Sequence, residues 1–225
     1  MKDRSLAEKY LPVFYRDEKE PFCIHSIGIT IYEESGNSVS PACFLKVEGD
    51  TAFVVEYAVY FDFDIQHLYD LEHVFVYVGH EGQVLNVESS FHGCFYKSMI
   101  NGDLKFREGT HPVLYLQPGK HGIMPDPKYF YLYRELYDAC GLLAGNGGFL
   151  VAPMFDTVLH TDPVTDEMVR QYIQKQYRFV PSMQFLPADF NIQNLISYQE
   201  LEKLIPQRME EWLKKIRNAG GNLCG

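Results

Sequence analysis

No lysine or arginine occurs between Lys46 and Lys97, and the 225-residue chain carries a formal charge of −10. A field of that sign repels phosphate backbones and anionic lipid surfaces, and no basic patch interrupts it, so nucleic acid is not expected as a partner. Cysteine is sparse. Cys23, Cys43, Cys94, Cys140 and Cys224 are odd in number and form no C-x-x-C pair. That argues against a disulfide framework or a thiolate zinc site and for reduced thiols in a cytosolic protein. No apolar stretch reaches the length of a membrane span, and the start M-K-D-R-S-L-A-E-K-Y has no apolar h-region. The cytoplasm is the expected location; a chain already trimmed of a signal peptide, and so secreted, reads the same way. Internal repeats and low-complexity segments are missing too. The glycines of L-L-A-G-N-G-G-F (142–149) lack the G-K-[ST] ending of a phosphate loop, and Gly145 is expected to cap the helix before it.

What the chain does have is aromatic side chains, 16 Tyr and 16 Phe, a bias towards β structure. From about 22 to 116 the apolar pattern is mostly period two, with strand-like runs at 43–47, 52–61, 73–78, 84–89 and 112–116. Turn residues such as G-H-E-G (79–82) separate some of them, which suggests an antiparallel β-sandwich core. From about 126 to 218 the signals are helical. Asp126-Pro127 and Asp162-Pro163 pair a capping side chain with proline at the first helical position, predicting helices over 128–140 and 164–175. Ser197 and Glu200 form a capping box. Further on, Met209, Trp212, Leu213 and Ile216 line one face of a helix that Pro206 is expected to break or kink. The expectation is one α+β domain over 1–225, with an antiparallel β-sandwich core and peripheral and C-terminal helices.

The stretch D-F-D-I-Q-H-L-Y-D-L-E-H (62–73) stands apart, because it carries four carboxylates and two imidazoles where a turn would carry Gly, Asn or Pro. If the following strand begins near Asp70, Asp70 and Glu72 share a face, ~6.6 Å apart along the strand. Unpaired carboxylates that close repel, and one acquires a raised pKa unless a cation sits between them. His67, His73 or a bound metal could supply that charge, and Asp62 or Asp64 a third carboxylate. The alternative is a solvated acidic loop with every side chain facing water. His73 alternates to the face opposite Glu72 and reads as structural. Cys94, near His92, has no identifiable basic partner and reads as buried and inert.

The run Y-A-V-Y-F-D-F-D-I-Q-H-L-Y-D-L-E-H-V resembles the region of the necrosis- and ethylene-inducing-like proteins in which H-x-x-D-x-E holds a divalent cation. That pattern falls here on His67, Asp70 and Glu72, with Asp64 matching the family's trailing aspartate. N-V-E-S-S-F-H-G (86–93) and H-P-V-L-Y-L-Q-P-G-K-H-G (111–122) resemble two further blocks and place His92 and His121. The same blocks, with the opening L-A-E-K-Y-L-P-V-F-Y-R-D-E-K-E-P-F, resemble the vacuolar-protein-sorting sixty-two family. Together they cover about half the chain in the same order. Leu71, Tyr69 and Gln66 depart from the usual Trp, His and Gly, and the loop before His67 looks shorter.

The resemblance implies a divalent cation, Mg2+ or Ca2+ first and Mn2+ or Zn2+ next, on Asp64, His67, Asp70 and Glu72, with His121 on or near it. A small polar ligand, such as a glycan or lipid headgroup bearing sugar or phosphate, is the implied partner. Two alternatives stay open. One is a hydrolase in which His121 or His92 moves protons beside a metal-activated water; the other is a metal that only pins strand ends.

Overall fold

The computed structural model describes residues 2–40 and 43–221; Cys224 lies outside them. Helix α1 (Lys2–Tyr10) leads into β1 (Val13–Asp17), and the chain then builds β2 (Ser26–Tyr32), β3 (Thr51–Phe63), β4 (His67–Gly79), β5 (Val84–Phe91) and β6 (Cys94–Lys97). Strands β7 (His111–Leu116) and β8 (Ile123–Met124) follow. The helical half contains α2 (Leu136–Cys140), β9 (Gly148–Phe149), α3 (Pro163–Gln176), β10 (Phe185–Pro187), β11 (Leu195–Ser197) and α4 (Tyr198–Gly221).

The larger sheet runs in the order β11-β2-β3-β4-β5-β6, with β9 beside the start of β4. The smaller runs β8-β7-β1-β10, with the two-residue strand Phe106–Arg107 beside β7. The α+β class is as expected, but the sheets are mixed and not antiparallel throughout. β1 runs parallel to β7, β11 to β2 and β9 to β4. Each of these partners enters after a long connection, as parallel pairing requires, and alternation of side chains carries no information about strand direction.

Every residue from Val54 to Phe61 is buried, because the larger sheet is covered on both faces. Val55, Tyr57, Val59 and Phe61 pack with Phe14, Leu114 and Leu116 in the core between the sheets. Ala58, Tyr60 and Phe63 pack against helical residues, among them Val169, Leu201, Ile205, Met209, Leu213 and Ile216.

Helix α4 runs unbroken through Pro206. A proline in a helix interior costs about 3 kcal/mol, whereas burying one large apolar side chain contributes about 1.5–3 kcal/mol. The six α4 side chains buried on either side of Pro206, Tyr198, Leu201, Ile205, Met209, Leu213 and Ile216, outweigh that cost. The helix expected over 128–140 splits into a 3-10 segment, Pro127–Leu132, and α2. Tyr133 is extended between them, with φ −82° and ψ 114°, so the helical pattern is interrupted there. The predicted caps form: Asp126 accepts from Lys128 N at 2.9 Å and Asp162 from Thr165 N at 2.7 Å. Ser197 and Glu200 bond each other's backbone reciprocally. Gly145 does not cap α2, which ends at Cys140. Its φ is +78°, and a Cβ there would lie 2.5 Å from the Arg170 carbonyl oxygen. Cys94 is exposed, not buried, at the outer edge of the larger sheet.

Candidate functional site

Across the β3–β4 pair, Asp70 lies opposite Phe61 and Glu72 opposite Val59. Both partners belong to the core between the sheets, so the two carboxylates share that inner face. The segment is a strand and not a solvated loop: β4 begins at His67, and Glu72 is 6% exposed. His73 sits opposite Ala58 and faces the other way, with Nδ1 3.1 Å from the buried Glu56 Oε1.

The turn into β4 is built by Asp64. Its Oδ1 accepts from the backbone N–H of Gln66 at 2.6 Å and of His67 at 2.7 Å, a local pattern that short acidic side chains favour. Two loops clamp this turn. Ile65 N donates to the Gly119 carbonyl at 2.7 Å, and Gly145 N donates to the Ile65 carbonyl at 2.8 Å. Gly119 has φ +71°, and a Cβ there would lie 2.8 Å from Cys140 Sγ and 2.9 Å from Ile65 Cβ. Asp62, considered as a third carboxylate, is directed elsewhere: it pairs with Arg208 of α4.

The β7–β8 turn delivers Lys120 and His121. Lys120 forms an ion pair with Asp64 Oδ2. The His121 ring is fully buried and stacks on Phe61, centroids 3.8 Å apart and planes 7° off parallel. Its Nδ1 lies 2.9 Å from Asp70 Oδ2 and its Nε2 3.6 Å from Glu20 Oε1. Glu20 is in turn held by Gly119 N, which donates to Oε2 at 2.6 Å. His67 Nδ1 lies 2.7 Å from the Tyr69 carbonyl oxygen, which can only accept, so that nitrogen carries the proton. His67 Nε2 lies 3.2 Å from Asp64 Oδ2. Ser90 Oγ donates to Glu72 Oε2 and accepts from His73 N at 2.6 Å. His92 Nε2 lies 2.7 Å from Gln117 Oε1, and its ring stacks on Tyr133 at 4.9 Å.

These placements set the charges. Burial, followed by the neighbouring Asp70 carboxylate, pushes Glu72 up to about 8. Burial would also raise Asp70, but the hydrogen bond and charge of His121 outweigh it and hold that carboxyl below its ordinary range. At His121, burial opposes the charged form, yet the hydrogen bond to Asp70 and the nearby Glu20 carboxylate win and lift it to about 10. Lys120 follows the same logic, with Asp64 overcoming burial and raising it. Burial lowers His92, only partly offset by Gln117.

A cavity of about 440 Å3 opens over this cluster, lined by Asp64, His67, Asp70, Glu72, Ser90, His92 and Lys120 among others. Five of the six sequence-designated residues thus share one cavity; His121 lies behind its wall. Among the described residues, no group of three or more His, Cys, Asp or Glu side chains converges as a ready metal shell. The donor chemistry nevertheless fits a hard divalent ion: the carboxylates of Asp64, Asp70 and Glu72 line one cavity, with the His67 imidazole beside them. Sequence reasoning missed Glu20, Lys120 and Ser90. Glu20 and Lys120 lie inside the blocks E-K-E-P-F and G-K-H-G, but nothing local in either block indicates that its charged side chain turns inward.

No family model matches the chain, and no curated protein matches it. Among solved structures, NLPPya in complex with glucosamine is similar over 56% of this chain and 67% of that one, at 15% identity and a TM-score of 0.39. The mannosamine complex of NLPPya gives the same values. A structure described as a toxin fold for microbial attack and plant defense is similar at 15% identity, covering 54% of this chain and 67% of that one, TM-score 0.36.

Proposed function

We propose that the cavity binds a small polar ligand through a divalent cation, Mg2+ or Ca2+, held by Asp64, His67, Asp70 and Glu72. One observation carries the reading: Asp70 and Glu72 are side by side on a buried wall, where burial first and the Asp70 charge second push Glu72 up to about 8. A cation between them removes that repulsion, and carboxylate oxygens are the donors that Mg2+ and Ca2+ take. The orientation of His67 supports the reading, because its Nδ1 is fixed on the Tyr69 carbonyl and the ring lines the cavity beside the carboxylates. The cation would supply a positive centre on which ligand oxygens orient. Sugar and phosphate groups suit a polar cavity of about 440 Å3. NLPPya is seen with amino sugars; the proposal for this chain rests on its own cavity.

His121 enters as a positioning residue. Both ring nitrogens face carboxylates and the ring is fully buried, so it steadies Asp70 and neither ligates nor touches ligand. A second reading, metal-dependent hydrolysis, is favoured by one feature: His92 lines the cavity and burial lowers its pKa, leaving a neutral imidazole able to take a proton from water.

Melting with and without chelator tests the proposal, using wild type and an Asp70→Asn/Glu72→Gln variant. Wild type should melt higher in Mg2+ or Ca2+ and lower in chelator, while the variant ignores both. A wild type indifferent to cation and chelator overturns the reading.

A further inference from the structure

We infer that Lys120 anchors the phosphoryl group of a phosphate monoester, and that this group enters the cavity only alongside the cation. The inference rests on the cation reading above and names the ligand class for the same cavity.

Lys120 is 8% exposed and lines the cavity. An ammonium has three N–H donors, and among the described residues Asp64 is its one side-chain acceptor. A charge buried this far needs its remaining donors satisfied, and the cavity is where an acceptor can stand. A sugar hydroxyl offers a neutral oxygen. A phosphate monoester offers several anionic oxygens in a compact group, enough to meet both the ammonium and a hard cation, a combination that Mg2+ sites commonly use.

Charge decides the order of events. Glu20, Asp64, Asp70 and Glu72 are four carboxylates set against Lys120 and His121. Once all four are ionised the cluster is negative and repels a dianion; a divalent cation balances it. With Asp64 drawn to a cation, the Lys120 ammonium, whose side-chain acceptor is Asp64, would be left to meet ligand oxygens. Phosphate binding should therefore require the cation, while cation binding should not require phosphate.

The test is calorimetric titration at pH 8, first with Mg2+ alone, then with glucose 6-phosphate, inorganic phosphate or glucose added to Mg2+-loaded protein. Wild type should bind Mg2+, then both phosphate compounds, and show no heat with glucose. Lys120→Met should keep Mg2+ binding and lose phosphate affinity by about tenfold or more, the worth of one charge-assisted hydrogen bond. Lys120→Arg should retain phosphate binding, which separates lost charge from lost folding. If Mg2+ binds but neither phosphate compound does, or if Lys120→Met leaves phosphate affinity unchanged, the inference is overturned and the cation reading stands. Glucose binding as tightly as glucose 6-phosphate also overturns it. Inorganic phosphate titrated into chelator-treated protein should give no heat; binding through Lys120 there overturns the claimed order.

Discussion

Asp62 and Asp64, two residues apart at the end of one strand, engage different cations in different layers of the molecule. Asp62 takes Arg208 on the C-terminal helix, with Nη2 2.7 Å from Oδ2 and Nε 3.2 Å from Oδ1. Asp64 takes Lys120 at the cavity. Asp62 lies within β3, whereas Asp64 lies one residue beyond its end, in the turn into β4. One aspartate therefore secures the helix layer while the other serves the site.

The first prediction follows from that division. Arg208→Ala leaves the Asp62 carboxylate, 16% exposed, without its partner. Removing one member of such a pair costs about 3 kcal/mol, which for a chain of this size lowers Tm by roughly 6–12 °C. Thermal melting measures this. Metal and ligand binding should be unaffected, because the pair lies on the helix side of the sheet.

Glu72 makes cation binding pH-dependent. Its folded pKa, about 8, lies above the ordinary 4.5, so between those values the folded protein holds a proton that the unfolded chain has released. Stability contributed by Glu72 therefore falls as pH rises from about 4.5 to 8. A cation must displace that proton, so its affinity should rise over the same span. Titrations of Mg2+ at pH 6, 7 and 8 should show steadily tighter binding, and Glu72→Gln should flatten the trend.

His121 predicts the behaviour above neutrality. Its pKa is raised from 6.5 to about 10, so the stabilisation is fully present below pH 6.5 and is lost as pH rises through about 10. Glu20→Ala removes one of the two carboxylates that hold the imidazolium, and should cost about 3 kcal/mol as a broken buried charge pair. Its stability should also fall off at lower pH than that of wild type, which denaturant melts between pH 7 and 10 would reveal.

Gly119→Ala should destabilise by at least about 1–3 kcal/mol, the cost of a left-handed backbone at a residue with a side chain. The added Cβ also meets Cys140 and Ile65 at 2.8–2.9 Å. Because Gly119 carries the turn that bears Lys120 and His121, cation affinity should fall together with Tm.

Much of this arrangement was legible in the sequence because it depends on local periodicity. Alternation placed Asp70 and Glu72 on one face and His73 on the other, and the cross-strand partners Phe61, Val59 and Ala58 agree. Capping chemistry located the starts of the helices at Asp126, Asp162 and Ser197. What was illegible is carried by contacts distant along the chain. Lys120 reaches Asp64 across 56 residues, and Glu20 meets Gly119 across 99; no spacing rule joins them. The edge strands Gly148–Phe149 and Leu195–Ser197 are too short to show a period, so the mixed character of the sheet was hidden. Pro206 misled because propensity was weighed without the buried face that carries the helix past it.

The most direct measurement is the stoichiometry of Mg2+ or Ca2+ binding to the purified chain at pH 8, compared with the Asp70→Asn/Glu72→Gln variant. About one ion should bind per chain through the carboxylate–imidazole shell, released by chelator and not bound by the variant. Equal binding to both proteins, or none to wild type at millimolar cation, would contradict it. Lys120 and His121 would then be the only cations these carboxylates serve.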